Sequence, residues 1–265
     1  MLMRRWICLL LSAWLLVLAA GCGREDRAQR QDWDAVQADG TLRIGVTQCP
    51  PFSQKGPDGT WSGFDMDLAR AVCEKLEVEP VFVELDWSGR TDALNRGEVM
   101  CLWSGLTARS DLLETLDFTQ TYLASRPVLV VLWEDVESYR TVEQLKGKTL
   151  AVESGSAGES AVAACLPEAE ADPVASQQAA LEAVLDGTAQ GAVVDLLVAR
   201  NAVETNQKLT VQMSLELGTE ELAVAVARSS DLTAKINQAL TALQQEGVLD
   251  DLAAQYGLTE ELIAG

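Results

Sequence analysis

Apolar and polar positions along this chain switch repeatedly between a strand-like and a helix-like period. Residues 42–46, after an Asp39-Gly40 turn, read as a strand. The spacing predicts a helix over 65–76, with Leu68, Val72 and Leu76 on one stripe at i, i+4 and i+8. Residues 81–85 are β-rich, 92–95 read as a short helix closed by Gly97, and 99–106 reads as a buried strand by composition. A long β-type run at 126–133 ends this block, and the pattern then restarts. A short helix is expected at 141–145, with Thr141 and Gln144 as a capping pair, then a strand at 148–152. The helix over 156–165 opens on Ser156 and Glu159, which fit a capping box. A helix at 176–186 stops at Gly187, a short strand follows at 192–194, and another helix at 195–206. A second long apolar run covers 221–227, and two last helices, 232–245 and 248–255, are separated by Gly247. A short helix near 32–38 precedes the first strand.

This alternation argues for an α/β fold with largely parallel sheets. Two βα blocks joined by two long β-runs imply two lobes with two crossing strands. The hydrophobic fraction of 48% and charged fraction of 23% are those of a globular protein. Forty acids against 20 basic side chains leave a net charge of −20, which repels phosphate backbones and excludes nucleic acid as an expected partner. Histidine is absent. That removes histidine-based triads, zinc sites with a histidine ligand, and the commonest general base.

The first 21 residues read as a signal peptide. Arg4 and Arg5 precede an apolar run from 7 to 20 that is too short for a comfortable membrane span. Leu18-Ala19-Ala20-Gly21-Cys22 resembles the lipobox of bacterial lipoproteins, with Ala19 where Leu is commoner. The resemblance implies cleavage before Cys22 and a lipid anchor on its thiol, which would hold the chain stably at the membrane. Residues 22–39 then read as a lipidated tether with the short helix at its end. The expected location is extracytoplasmic. Cys49, Cys73, Cys101 and Cys165 allow three disulfide pairings outside the cytoplasm, and buried free thiols are equally compatible with their apolar surroundings. No C-x-x-C occurs, so neither a metal nor a redox site is expected.

Several segments, in order, resemble the bacterial solute-binding proteins of family 3, the polar amino-acid receptors of ABC importers. They include Gly40-Thr41-Leu42-Arg43-Ile44-Gly45-Val46 with Pro50-Pro51-Phe52, then Gly63-Phe64-Asp65-Met66-Asp67-Leu68-Ala69 and Trp87-Ser88-Gly89. Further on come Gly105-Leu106-Thr107, Asp117-Phe118-Thr119-Gln120, Val152-Glu153-Ser154-Gly155-Ser156 and Val193-Val194-Asp195. The resemblance runs from about 39 to 262. It implies the two-lobed, type II periplasmic-binding-protein-like fold, with two crossover strands and a ligand cleft between the lobes. Lobe 1 would hold 40–126 plus 223–265, and lobe 2 would hold 127–222.

The same resemblance implies site residues. Trp87 would stack on the ligand, and Phe52 is a weaker aromatic candidate. Gly105 and Thr107 match positions that hold the ligand's amino group and carboxylate. Asp195 matches the acid that receives an α-ammonium, although an acid at a strand end is also a helix N-cap. Ser156 and Ala157, after Gly155, match a helix start that offers N–H groups to a carboxylate. The chain departs from the family pattern at Leu112, where an Arg normally forks the α-carboxylate. Thr47 and Met100 stand where Asp is common, and Glu153 where a polar or basic residue is common. Either Arg109 supplies the missing guanidinium, or the ligand has no α-carboxylate and Glu153 and Asp195 favour a cation, or the chain has drifted to a role without a ligand.

The expected function is the substrate-binding component of an ABC importer. It would capture a small polar solute, an amino acid or cationic relative, and deliver it to a membrane permease as a monomer without a cofactor. One alternative is a carboxylate-dependent lyase of the cyclohexadienyl dehydratase type, with Glu153 as its acid. Another is a sensor lobe acting on a separate partner.

Overall fold

The computed structural model describes residues 30–263. The expected signal peptide and the Cys22 anchor lie outside the described residues. The described chain opens with helix α1 (Asp32–Asp39), which does not hang free as part of a tether. Val36 is buried, Trp33 packs against the core, and the Trp33 N–H donates to Asp231 Oδ1 at 3.0 Å. Strand β1 (Thr41–Val46) follows, then a small hairpin of β2 (Gln54–Lys55) and β3 (Trp61–Ser62). Helix α2 (Phe64–Lys75) buries Phe64, Leu68, Val72 and Cys73 along one face. Asp65 and Asp67 in its first turn and Lys75 in its last complement the helix dipole.

Strand β4 (Glu79–Glu84), helix α3 (Arg90–Asn95), and strands β5 (Cys101–Leu102), β6 (Leu116–Phe118) and β7 (Leu123–Ser125) complete this stretch. The second stretch holds β8 (Pro127–Leu132), β9 (Thr149–Glu153), α4 (Ala157–Cys165), β10 (Glu170–Val174) and α5 (Gln177–Leu185). It continues through β11 (Gly191–Asp195), α6 (Leu196–Thr205) and β12 (Leu209–Gln212). The chain returns along β13 (Glu220–Leu222) into β14 (Ala225–Ala227) and ends on α7 (Leu232–Gln245) and α8 (Val248–Tyr256).

Two five-stranded sheets result, ordered β4-β1-β5-β14-β6 and β10-β9-β11-β8-β12, one per lobe. The crossing segments β7 and β13 pair antiparallel with each other. The sheets are largely parallel, as expected, with one strand reversed in each. In each lobe four strands run the same way, while β14 runs antiparallel to β5 and β6, and β8 runs antiparallel to β11 and β12. The antiparallel strands are the two that arrive from the opposite lobe. They enter their sheets from the other end.

Two strand assignments are corrected. The apolar run 99–106 is a strand at 101–102, because Gly105 takes φ +60° and turns the chain toward the crossing segment. The run 221–227 divides into β13 and β14 because it changes partner, from β7 to β5 and β6. Strand β10 escapes a hydrophobic reading: it is a polar edge strand, with Pro173 on the sheet's rim. Thr141 and Gln144 do form the expected capping box, on a 3-10 turn. Cys49, Cys73 and Cys101 are buried free thiols, and Cys165 is a partly exposed one. Among the described residues no helix is long and apolar enough to cross a membrane.

Helix α4 lies very close to β11 at one glycine. A Cβ on Gly158 would sit 2.4 Å from the Val193 carbonyl oxygen. Gly158→Ala is therefore expected to destabilise the fold by about 1–3 kcal/mol through overpacking, read as a lower urea midpoint. An unchanged midpoint would show that α4 can lift off the sheet without penalty.

Candidate functional site

The strand ends of both sheets meet at a cleft whose lining comes from both lobes. On the first lobe, the segment after β1 brings Thr47 and Cys49, and a 3-10 turn brings Trp87. The loop after β5 supplies Gly105, Thr107 and Arg109. On the second lobe, Glu153 ends β9, Gly155 and Ser156 lead into α4 with Ala157 as its first residue, and Asp195 ends β11. Glu220 enters from the crossing strand β13. Eight of the nine ligand-contact candidates read from the sequence thus line one space. Phe52 does not: it is fully buried, and a Cβ on Gly105 would meet its ring at 2.6 Å. Phe52 supports the floor of the cleft. Only a glycine gives the backbone this approach and this φ.

The floor has a second support. Asp65 is completely buried and accepts from Gly105 N–H at 2.6 Å and from the Tyr122 hydroxyl at 2.9 Å. Burial pushes its carboxyl up to about 7, while those two bonds pull it down. The Asp of the Gly-Phe-Asp motif thus fixes the Gly105 loop from below.

The lobes are tied at Gly155. Arg90 Nη2 and Arg109 Nη1, both from the first lobe, donate to the Gly155 carbonyl at 2.9 and 3.1 Å. Gln177 Nε2 reaches Cys49 Sγ at 3.7 Å on the same seam. Arg90 also donates to the Trp87 carbonyl at 2.6 Å and lies over the Trp87 ring at 4.7 Å, so one face of that indole is already covered. Arg109 does reach the cleft, but its guanidinium forks onto Asp111 at 3.0 and 2.5 Å. Leu112 lines the cleft as an apolar wall. With the lobes latched, the cleft keeps a partly open cavity of about 30 Å³. A larger solute enters as the lobes part.

Three acids line this space. Asp195 Oδ1 caps α6, accepting from Leu197 and Val198 N–H at 2.7 and 3.4 Å. Its Oδ2 is buried without a hydrogen bond, and so is the nearby Ser125 hydroxyl. Glu220 accepts from the Thr107 hydroxyl at 2.6 Å. Burial pushes Glu153 up to about 7, against the pull of Arg90. Burial also raises Asp195, and burial together with the Asp195 charge raises Glu220. The α4 start is partly capped by its own residues: Ser156 Oγ accepts from Glu159 N–H, and Glu159 Oε2 accepts from Gly155 N–H at 2.7 Å.

Sequence reasoning missed Arg90, Glu220, Gln177 and Cys49. Arg90 carried a signal, because it directly follows Trp87-Ser88-Gly89. Glu220 and Glu221 stand together before an apolar run, and nothing in the sequence says which one faces inward.

The model of the bacterial extracellular solute-binding proteins, family 3, matches residues 42–259. The chain belongs to this family. Among its relatives is the L-arginine-binding protein of Pseudomonas aeruginosa, 29% identical over 83% of this chain and 88% of that protein. A crystal structure of a mutant of ArgBP from T. maritima covers 84% of this chain and 97% of its own, at 28% identity and a TM-score of 0.79. An ancestral amino acid-binding protein, AncCDT-1, a precursor of cyclohexadienyl dehydratase, matches at 27% identity and a TM-score of 0.79 over 85% and 99%. For this family 3 protein the two-lobed clamp follows directly.

The buried acids give it a pH signature. A carboxyl raised in the folded state destabilises it once ionised, so stability is greatest below the unfolded value near 4.5 and falls as pH rises through about 7. Arg90, Arg109, Asp111, Glu159 and Asp65 share the neighbourhood and set the background. Glu153→Gln is expected to raise the melting temperature of the ligand-free protein at pH 8 and leave it unchanged at pH 4. An equal difference at both pH values would mean that Glu153 is not buried as a charge.

Proposed function

We propose that this protein captures a small polar solute, an amino acid or a cationic relative, between its lobes and delivers it to an ABC permease. The carrying observation is the convergence of Trp87, Gly105, Thr107 and Arg109 from one lobe with Glu153, Ser156, Ala157 and Asp195 from the other. Groups from both sides of a hinge gain contacts with a solute only when the lobes close, so binding energy drives closure. The names of the relatives support the solute class. The lobes are taken as 40–126 plus 223–265 and 127–222, closing about β7 and β13.

Binding, and not turnover, is the proposed activity. Glu153 has the raised pKa of a general acid, and AncCDT-1 is a dehydratase precursor. However, AncCDT-1 is itself described as an ancestral amino acid-binding protein. Turnover of arogenate or prephenate by the purified protein would reverse this reading.

We also propose that residues 1–21 are a cleaved signal peptide and that a lipid on Cys22 holds a monomer outside the cytoplasmic membrane. Cys22→Ala is then expected to move the protein from the membrane fraction to the soluble one. Retention in the membrane fraction would refute the anchor.

Ligand capture is tested by thermal unfolding of residues 23–265 against amino acids, ornithine, citrulline, cystine, polyamines and short dipeptides. A solute at about 100 times its Kd stabilises by about 2.7 kcal/mol. That is a rise of several degrees at this size. Asp195→Asn, which keeps the α6 cap, is expected to remove the rise. A rise with no member of the panel would overturn the reading.

A further inference from the structure

The charged groups of the cleft are unevenly engaged. The groups that could hold an anion are partly committed to partners within the protein. Arg109 is forked onto Asp111 and latched to Gly155. Each Nη atom of Arg90 gives one N–H to a carbonyl, so its guanidinium is held in place by Trp87 and Gly155. At the α4 N-terminus the N–H groups of Gly155, Ser156 and Glu159 are already taken by Glu159, the Glu153 carbonyl and Ser156, which leaves those of Ala157 and Gly158. Leu112 adds no donor.

The groups that could hold a cation are open. Among the described residues, none of Glu153, Asp195 and Glu220 is in a salt bridge. Asp195, 6% exposed, has Oδ2 buried beside the Ser125 hydroxyl, with no cation in contact. Arg90 lies close enough to Glu153 to act on its charge, and Asp111 neutralises Arg109. Arg200 and Arg109 act on Asp195 and Glu220 only through space, so neither buried acid has a cation in direct contact. Buried charges of this kind are strongly unfavourable until paired. Leu106, Leu112 and Val194 give the same cleft apolar surface that suits a methylene chain.

We propose that the cleft selects a dication without a carboxylate: a linear diamine or a guanidino-alkylamine, one cationic end on Asp195 and the other on Glu220. This rests on the capture reading above and narrows it.

The test is isothermal titration of the mature protein with three matched pairs: agmatine and arginine, putrescine and ornithine, cadaverine and lysine. Each amine is its amino acid without the carboxylate. At least one amine is expected to bind about tenfold or more tightly than its parent. Parity, or preference for the amino acid in every pair, overturns the proposal and leaves the capture reading intact. Binding of a neutral amino acid with none of the six has the same meaning. Heat from none of the six and none of the twenty amino acids overturns both. Asp195→Asn and Glu220→Gln are each expected to weaken the amine by about tenfold or more, with melting temperatures showing that the variants are folded. Full amine affinity in either folded variant overturns the assignment of the two ends.

Discussion

Leu123–Ser125 and Glu220–Leu222 lie side by side as an antiparallel pair, and the relation between the two lobes is set there. Each strand of the pair continues almost at once into the sheet of the lobe it is entering, β7 into β8 and β13 into β14. That continuity explains why β8 and β14 run against their parallel neighbours. It also explains why the crossing strand carries a cleft residue. Glu220 sits on the hinge itself, bonded to Thr107 of the first lobe, so movement of the hinge and the environment of that acid are one event.

The cleft is built against its own electrostatics. Each buried carboxylate gives up water, and the nearby arginines are too committed elsewhere to compensate fully. Asp65 shows the satisfied case, with both oxygens bonded and a task in holding Gly105. Asp195 shows the unsatisfied one, with one oxygen capping a helix and the other bare. The first kind of buried acid stabilises a loop, and the second caps a helix at the cleft wall.

Most of the helices were legible because their signals are local. Leu68 and Val72 mark the buried stripe of α2, and Ser156 with Glu159 marks the start of α4. Strand limits were harder to read wherever partner exchange decides them. Nothing at Ala223 or Val224 announces that the chain leaves β7 for β5 and β6. Candidate site residues could be placed through motifs, but their engagement could not. That Arg109 would fork onto Asp111, and Arg90 cover Trp87, depends on which side chains the closed lobes press together. Phe52, close in sequence to cleft residues, went beneath the floor because Gly105 left room for its ring.

The Gly155 carbonyl accepts both arginines of the first lobe on a single oxygen. Neither guanidinium can keep its grip while the other lets go by much, because the acceptor moves with the whole second lobe. Unlatching is therefore a concerted step and not a gradual one. The Gly155 carbonyl is thus a single acceptor through which two side chains of one lobe hold the backbone of the other.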